Sequence, residues 1–199
     1  SLTQDNTFIT QAVRFAAGDT LNNAALRDSL NQQTPPKYST HRLQLNFQRD
    51  TRDNPLNPAR GSIQSVIAEV AGGPLKGTSS FTKLQGALAW YSPTRAGRVL
   101  GVRLRAGVID PFGSAKNFSP DPSLDPRVAS VPLEDRFRIG GVNSVRGYSE
   151  NSIPATGGLA LLQGNFEARV AVAGPLGFEC FVDAGNVWTR PSRIRLSQF

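Results

Sequence analysis

The segment Val99–Ile109, VLGVRLRAGVI, alternates residue by residue between two kinds of side chain. Because successive side chains of a β-strand point to opposite sides, this alternation predicts a strand with one apolar face and one polar or small-residue face. A length of about eleven residues suits a strand that crosses a bilayer at a tilt. The apolar face would carry Leu100, Val102, Leu104, Ala106 and Val108, and the opposite face Gly101, Arg103, Arg105 and Gly107.

The same period of two recurs along the chain in segments of about ten residues, separated by stretches rich in Gly, Pro, Asn and Asp. We therefore predict about six or seven antiparallel strands. The first long connection departs from this pattern, and we expect a short helix over Asp19–Gln33 within it. Besides Val99–Ile109, the predicted strands are Thr7–Ala17, His41–Arg49, Ser62–Ala71, Phe81–Tyr91, Leu159–Val172 and Phe178–Gly185.

The connections between these strands alternate in length. Short connections rich in Pro or Gly occupy Asn54–Gly61, Ser92–Arg98 and Ala173–Gly177, whereas long ones run over residues 18–40 and 110–158. Short turns at one end and long extracellular loops at the other are typical of an outer-membrane barrel. The alternative is a soluble β-sandwich, whose strands are usually about five or six residues long. The pattern favours an all-β fold, an antiparallel transmembrane β-barrel.

The number of predicted strands is too small for a complete barrel. Bacterial transmembrane barrels close with an even number of strands, at least about eight, and lipid does not tolerate an open sheet edge. The chain of 199 residues also contains no Met. We therefore expect residues 1–199 to form one fragment of a larger barrel domain.

Composition excludes several other classes of protein. A single Cys and a single His exclude a disulfide framework and most metal sites, and make a Ser-His-Asp triad improbable. The net charge of +7 raises the question of nucleic acid, but the basic residues are scattered and do not alternate with aromatic residues. No apolar run reaches the length of about 18 residues that a transmembrane helix needs. We expect no enzymatic activity, no cofactor, no metal and no nucleic-acid partner.

The second long loop contains the one constellation of polar residues that suggests a site. It holds the glycine-rich segment Gly140–Tyr148, with Arg146 near its end. Two acidic residues, Glu167 and Asp183, lie on the polar faces of the last two predicted strands. An arginine on a loop folded into the barrel lumen would pair with both carboxylates. The alternative is that the glycines are ordinary turn residues and both carboxylates are solvated, as we expect for the adjacent pair Glu134 and Asp135.

These motifs together resemble the BamA/TamA superfamily, also called the bacterial surface antigen family. Val145–Tyr148 (Val-Arg-Gly-Tyr), preceded by Phe137–Gly141, resembles the tip of that family's inward-folded sixth extracellular loop. Phe181–Trp188 resembles the strand whose Asp receives the loop arginine, and Asn165–Glu167 the strand before it. The resemblance implies a loop latch of Val145, Arg146, Gly147 and Tyr148, lumenal partners Glu167 and Asp183, and supporting motif residues Gly140, Gly141, Phe181 and Gly185.

The resemblance also implies a function. Barrels of this family have sixteen strands, of which this chain would contain about seven, without the POTRA domains and the closing strands. The expected protein is an assembly factor of the Gram-negative outer membrane. Its partners would be the lipid bilayer, unfolded outer-membrane proteins and accessory assembly lipoproteins. Two alternatives stay open: a two-partner secretion translocator that exports one dedicated substrate, and a passive diffusion channel.

Overall fold

The computed structural model describes residues 2–5, 39–94, 97–113, 117–119, 121–173, 176–195 and 197. The predicted strand Thr7–Ala17 and the predicted helix Asp19–Gln33 lie outside these residues, as does nearly all of the first long loop. No helix in the described part of the chain is long and apolar enough to cross a membrane.

A seven-stranded antiparallel sheet is the main element of the fold. The strands of the described chain are β1 (Leu2–Asp5), β2 (Thr40–Asp50), β3 (Gly61–Ala71), β4 (Phe81–Pro93), β5 (Arg98–Pro111), β6 (Phe137–Ile139), β7 (Ile153–Gly158), β8 (Ala160–Ala173) and β9 (Leu176–Trp188). The predicted strands from His41 onward are confirmed, with ends that differ by at most three residues. In the main sheet the strands follow one another in the order β1-β2-β3-β4-β5-β8-β9, so the connection between β5 and β8 carries a separate two-stranded sheet, β6-β7.

One face of the seven-stranded sheet is apolar and exposed. The register places apolar residues beside apolar residues, for example Leu88 beside Leu104 and Phe166 beside Val182. A sandwich would bury such a face against a second sheet, whereas here the side chains are open, as on the lipid-facing side of a barrel. Exposed members of this outer face are Leu43, Leu45, Phe47, Val66, Val70, Leu84, Leu88, Trp90, Leu104, Val108, Phe166, Phe178 and Val182.

Part of the opposite, polar face is covered by the connection between β5 and β8, which we call the inserted loop; its described residues are 112–113, 117–119 and 121–159. A single helical turn, α1 (Pro126–Ala129), begins where the Asp125 carboxylate accepts a hydrogen bond from the Arg127 backbone N–H at 3.0 Å. Strands β6 and β7 follow and lie against the sheet. Between the inserted loop and the sheet is the buried core, which includes Phe81, Ile109, Val128, Val131, Phe137, Ile139, Val145, Leu159, Leu161 and Val187.

Glycine makes room for the inserted loop on the polar face. A Cβ atom at Gly107 of β5 would lie 2.4 Å from Cζ of Phe137, far inside van der Waals contact. The ring of Phe137 therefore packs directly on the backbone of β5. The absence of a side chain at Gly107, which the alternation of Val99–Ile109 already placed on the polar face, fixes where the loop rests.

Candidate functional site

The segment Gly140–Tyr148, which we call the loop tip, is a compact turn with specific backbone requirements. The backbone φ angles of Gly140, Gly141 and Gly147 are 112°, 99° and 92°, in a region that residues with a Cβ atom rarely adopt. The Gly141 N–H donates to the Tyr148 carbonyl at 3.0 Å, and the Ser144 N–H donates to the Gly141 carbonyl at 3.0 Å. These bonds close the turn and direct Arg146 toward the sheet.

Arg146 binds Asp183 of β9 through three hydrogen bonds. Its Nε donates to Oδ2 at 2.8 Å and its Nη2 to Oδ1 at 2.7 Å, which is the paired geometry of a guanidinium facing a carboxylate. The backbone N–H of Arg146 donates to the same Oδ2 at 2.9 Å. Side-chain exposure is 19% for Arg146 and 3% for Asp183. Removing one partner of such a pair lowers the folding stability by about 3 kcal/mol. This is the low end of the range for buried pairs, because Arg146 keeps some contact with water.

Three further residues of β8 and β9 surround the same guanidinium. Nη2 of Arg146 lies 3.3 Å from Oε1 of Glu167, and Nη1 donates to Oε1 of Glu179 at 2.9 Å. The guanidinium carbon lies 3.6 Å from the centroid of the Phe181 ring, so it also makes a cation–π contact. Arg103 of β5 pairs with Glu167 at 3.0 Å, so that carboxylate has two cationic partners.

A chain of neutral side chains extends the contact on the other side of Asp183. Asn165 of β8 lies beside Asp183 in the register, and its Nδ2 donates to Oδ1 of Asp183 at 2.8 Å. The same Nδ2 donates to the backbone carbonyl of Ser144 at 2.7 Å. Oε1 of Gln163 accepts a hydrogen bond from the Ser144 hydroxyl at 3.0 Å, and Nε2 of Gln163 donates to Oδ1 of Asn165 at 2.9 Å. The loop tip is therefore held by both charged and neutral hydrogen bonds.

Electrostatics at the tip keep the arginine charged. The hydrogen bonds from its side chain to the Asp183 carboxylate raise the pKa of Arg146 above its ordinary value, and the charge of Glu167 acts in the same direction. Its guanidinium is paired with the carboxylates of Glu167, Glu179 and Asp183, so the arrangement joins the loop to strands β8 and β9.

The structure brings most of the residues named from the sequence into this one site. Arg146 is in contact with both Glu167 and Asp183. Val145 is buried. Gly185 lies beneath Ile139, because a Cβ atom at position 185 would be 3.1 Å from Cδ1 of Ile139. Tyr148, the last residue of the predicted latch, is 59% exposed. Its backbone carbonyl closes the turn by accepting the Gly141 N–H.

Sequence reasoning missed four contributors. No role was predicted for Glu179 or Asn165, although Glu179 has the strand parity of Asp183 and Asn165 has that of Glu167. Ser144 and Gln163 gave no signal, because small polar residues in a turn and on a strand are common. The expectation for the adjacent carboxylates was half wrong: Glu134 is exposed, but Asp135 is only 4% exposed.

Comparisons with known proteins identify the class to which this fold and loop belong. The chain belongs to the Omp85 superfamily, whose domain model matches residues 3–197. Among solved structures, BamA from Haemophilus ducreyi lacking POTRA domains 1–3 aligns with a TM-score of 0.62 at 15% identity, over 81% of this chain and 34% of that one. The sheet described above is therefore part of an antiparallel transmembrane β-barrel.

Two curated relatives extend the comparison. The outer membrane protein assembly factor BamA of Nitratidesulfovibrio vulgaris is 31% identical over 55% of this chain and 12% of its own length. A SAM50-like protein of Schizosaccharomyces pombe is 26% identical over 90% of this chain and 34% of its own. The chain thus spans about a third or less of the length of the relatives it matches.

Proposed function

We propose that this chain is the central barrel portion of a protein that inserts and folds β-barrel proteins into the outer membrane of a Gram-negative bacterium. The observation that carries the proposal is the occupied polar face: the inserted loop lies on it and is tied to β9 by the Arg146–Asp183 pair at 2.7 Å. Membership of the Omp85 superfamily and the similarity to a BamA assembly factor support the same function.

The site supports a role without covalent chemistry. Its charged side chains are paired with one another, and its hydrogen bonds join the loop to the barrel wall. In this proposal the loop tip is a latch that fixes the inside of the barrel, while the exposed apolar face contacts the bilayer. The partners are the lipid bilayer, unfolded outer-membrane proteins and accessory assembly lipoproteins, and no cofactor is needed.

Depletion in the native host tests this function. When the protein carrying this chain is depleted, we expect the folded fraction of several unrelated outer-membrane barrel proteins to fall together, because all of them would depend on one insertion machine. Folded barrels are counted by the shift in electrophoretic mobility between unheated and boiled samples. Restoring the gene should restore the folded fraction.

The same experiment separates the alternatives. Loss of one secreted protein with normal folding of all barrels would contradict the proposal and indicate a two-partner secretion translocator. Normal barrels and normal secretion, together with lower permeability to small solutes, would contradict it and indicate a diffusion channel. The occupied polar face argues against the channel, because an inserted loop obstructs the passage.

A further inference from the structure

The inserted loop has a second charged contact with the sheet, far from Arg146. Asp135, in the turn that precedes β6, is 4% exposed and accepts hydrogen bonds from Arg42 of β2. Nη1 of Arg42 lies 2.8 Å from Oδ1 of Asp135, and Nη2 lies 3.4 Å from Oδ2. Arg42 also donates to Oε1 of Glu69 on β3 at 3.2 Å.

A third strand contributes to the same point. The Lys83 ammonium on β4 donates to the backbone carbonyl of Asp135 at 2.8 Å and lies 5.0 Å from the centroid of the Phe137 ring. Two cations and two carboxylates thus meet with balanced charge, and three of the four come from three successive strands. A surface carboxylate has no need for such an arrangement, whereas a buried one does, since an unpaired buried charge is strongly destabilising.

The two charged contacts lie on different parts of the barrel wall. Three strands, β4, β5 and β8, separate β3 from β9 in the sheet, which corresponds to about 19 Å at the usual spacing between neighbouring strands. Between the contacts, Phe137 packs on Gly107 of β5 and Ile139 packs over Gly185 of β9. The segment from Asp135 to Arg146 therefore crosses the polar face from one contact to the other.

We propose that Asp135, with Arg42 as its partner, is a second anchor that positions the loop tip. The Asp135 anchor fixes the start of the crossing segment on β2–β4, and the Arg146 latch fixes its end on β8–β9. Without the Asp135 anchor, the start of the crossing segment loses its charged contact and keeps the apolar packing of Phe137 and Ile139. Its position is then less well fixed, so the tip is seated more weakly although Asp135 does not touch it. This role in positioning the loop is independent of the proposed activity.

Thiol labelling at the loop tip tests this inference in the protein as the cell makes it. Ser144 is 8% exposed, so a thiol introduced by Ser144→Cys is protected from N-ethylmaleimide while the tip is seated. Cys180→Ala removes the exposed native thiol. In this background we expect Asp135→Asn to raise the labelling rate about tenfold or more, because the substitution keeps the shape of the side chain and removes its charge. Asp135→Glu should restore a rate near that of the parent.

Glu134→Gln is the matched control, since Glu134 is the exposed neighbour of Asp135 and carries the same charge. It should label at the parental rate. An unchanged rate in Asp135→Asn, in a barrel that still shows the folded electrophoretic mobility, would overturn the inference. If Asp135→Asn yields no folded barrel, Arg42→Gln, which removes the positive charge, decides the question: faster labelling supports the second anchor, and parental labelling overturns it.

Discussion

At the scale of single residues, the loop tip depends on glycines for two different physical reasons. Gly147 has a positive φ but nothing lies within 4 Å of the position of a Cβ atom, so only its backbone conformation excludes other residues. Gly140 has a positive φ as well, and a Cβ there would lie 2.3 Å from the Ser149 carbonyl oxygen. The first glycine is required for conformation alone, and the second for conformation and space.

This difference predicts the outcome of two alanine substitutions. Gly147→Ala should lower the free energy of loop opening by about 1–2 kcal/mol, the cost of a left-handed conformation for an L-residue. Gly140→Ala should lower the free energy of loop opening by more than Gly147→Ala does, because the backbone near Ser149 must also shift to make room for the Cβ atom. The rate of native-state proteolysis within the inserted loop measures this opening. Equal proteolysis rates for the two variants would contradict the conclusion that position 140 also lacks space for a side chain.

Much of the site could be predicted from single residues, and the remainder could not for a physical reason. Arg146, Glu167 and Asp183 were predicted because strand parity fixes the side of a carboxylate and the motif identifies the loop arginine. The burial of Asp135 was not predicted, since it depends on Arg42, which lies 93 positions earlier in the sequence. Periodicity describes which way a side chain points but says nothing about which loop residue it meets.

At the scale of elements, the long strands were predicted, whereas the short strands β1 and β7 were not. Strand β7 has the sequence IPATGG, in which a proline and two glycines hide any alternation. Gly158 of this strand passes so close to β9 that a Cβ would lie 2.5 Å from the Trp188 carbonyl oxygen. Gly158 is therefore needed for this close approach to β9, which is a tertiary requirement that strand propensity does not describe.

Strand β2 allows a direct test of the two faces of the sheet. Leu45 is 68% exposed on the outer face, and its neighbour Asn46 is exposed on the polar face. Leu45→Arg should cost up to about 2–4 kcal/mol if the side chain lies near the bilayer midplane, whereas Asn46→Arg should be nearly neutral. Urea unfolding of the protein in lipid vesicles measures both. A similar small effect of the two substitutions would contradict a lipid-facing outer surface.

At the scale of the whole molecule, the two faces of the barrel wall differ in what contacts them. The outer face is exposed, as a lipid-facing surface would be, and part of the inner face is covered by the inserted loop, which is bound by charged contacts to β2–β4 and to β8–β9. Since an ion pair between side chains of a loop and a wall is strong only when both are shielded from water, the apolar core beneath the loop supports the pairs. Packing and charge therefore depend on each other.

Arg146→Ala in the native host tests the latch itself, when loop opening and barrel assembly are followed together. We expect faster proteolysis of the inserted loop and a several-fold lower folded fraction of other outer-membrane barrel proteins. Arg60→Ala, at an exposed arginine in the β2–β3 turn, should leave both unchanged. A loop as protected as in the parent, together with normal assembly of other barrels, would show that function does not depend on Arg146 as a latch.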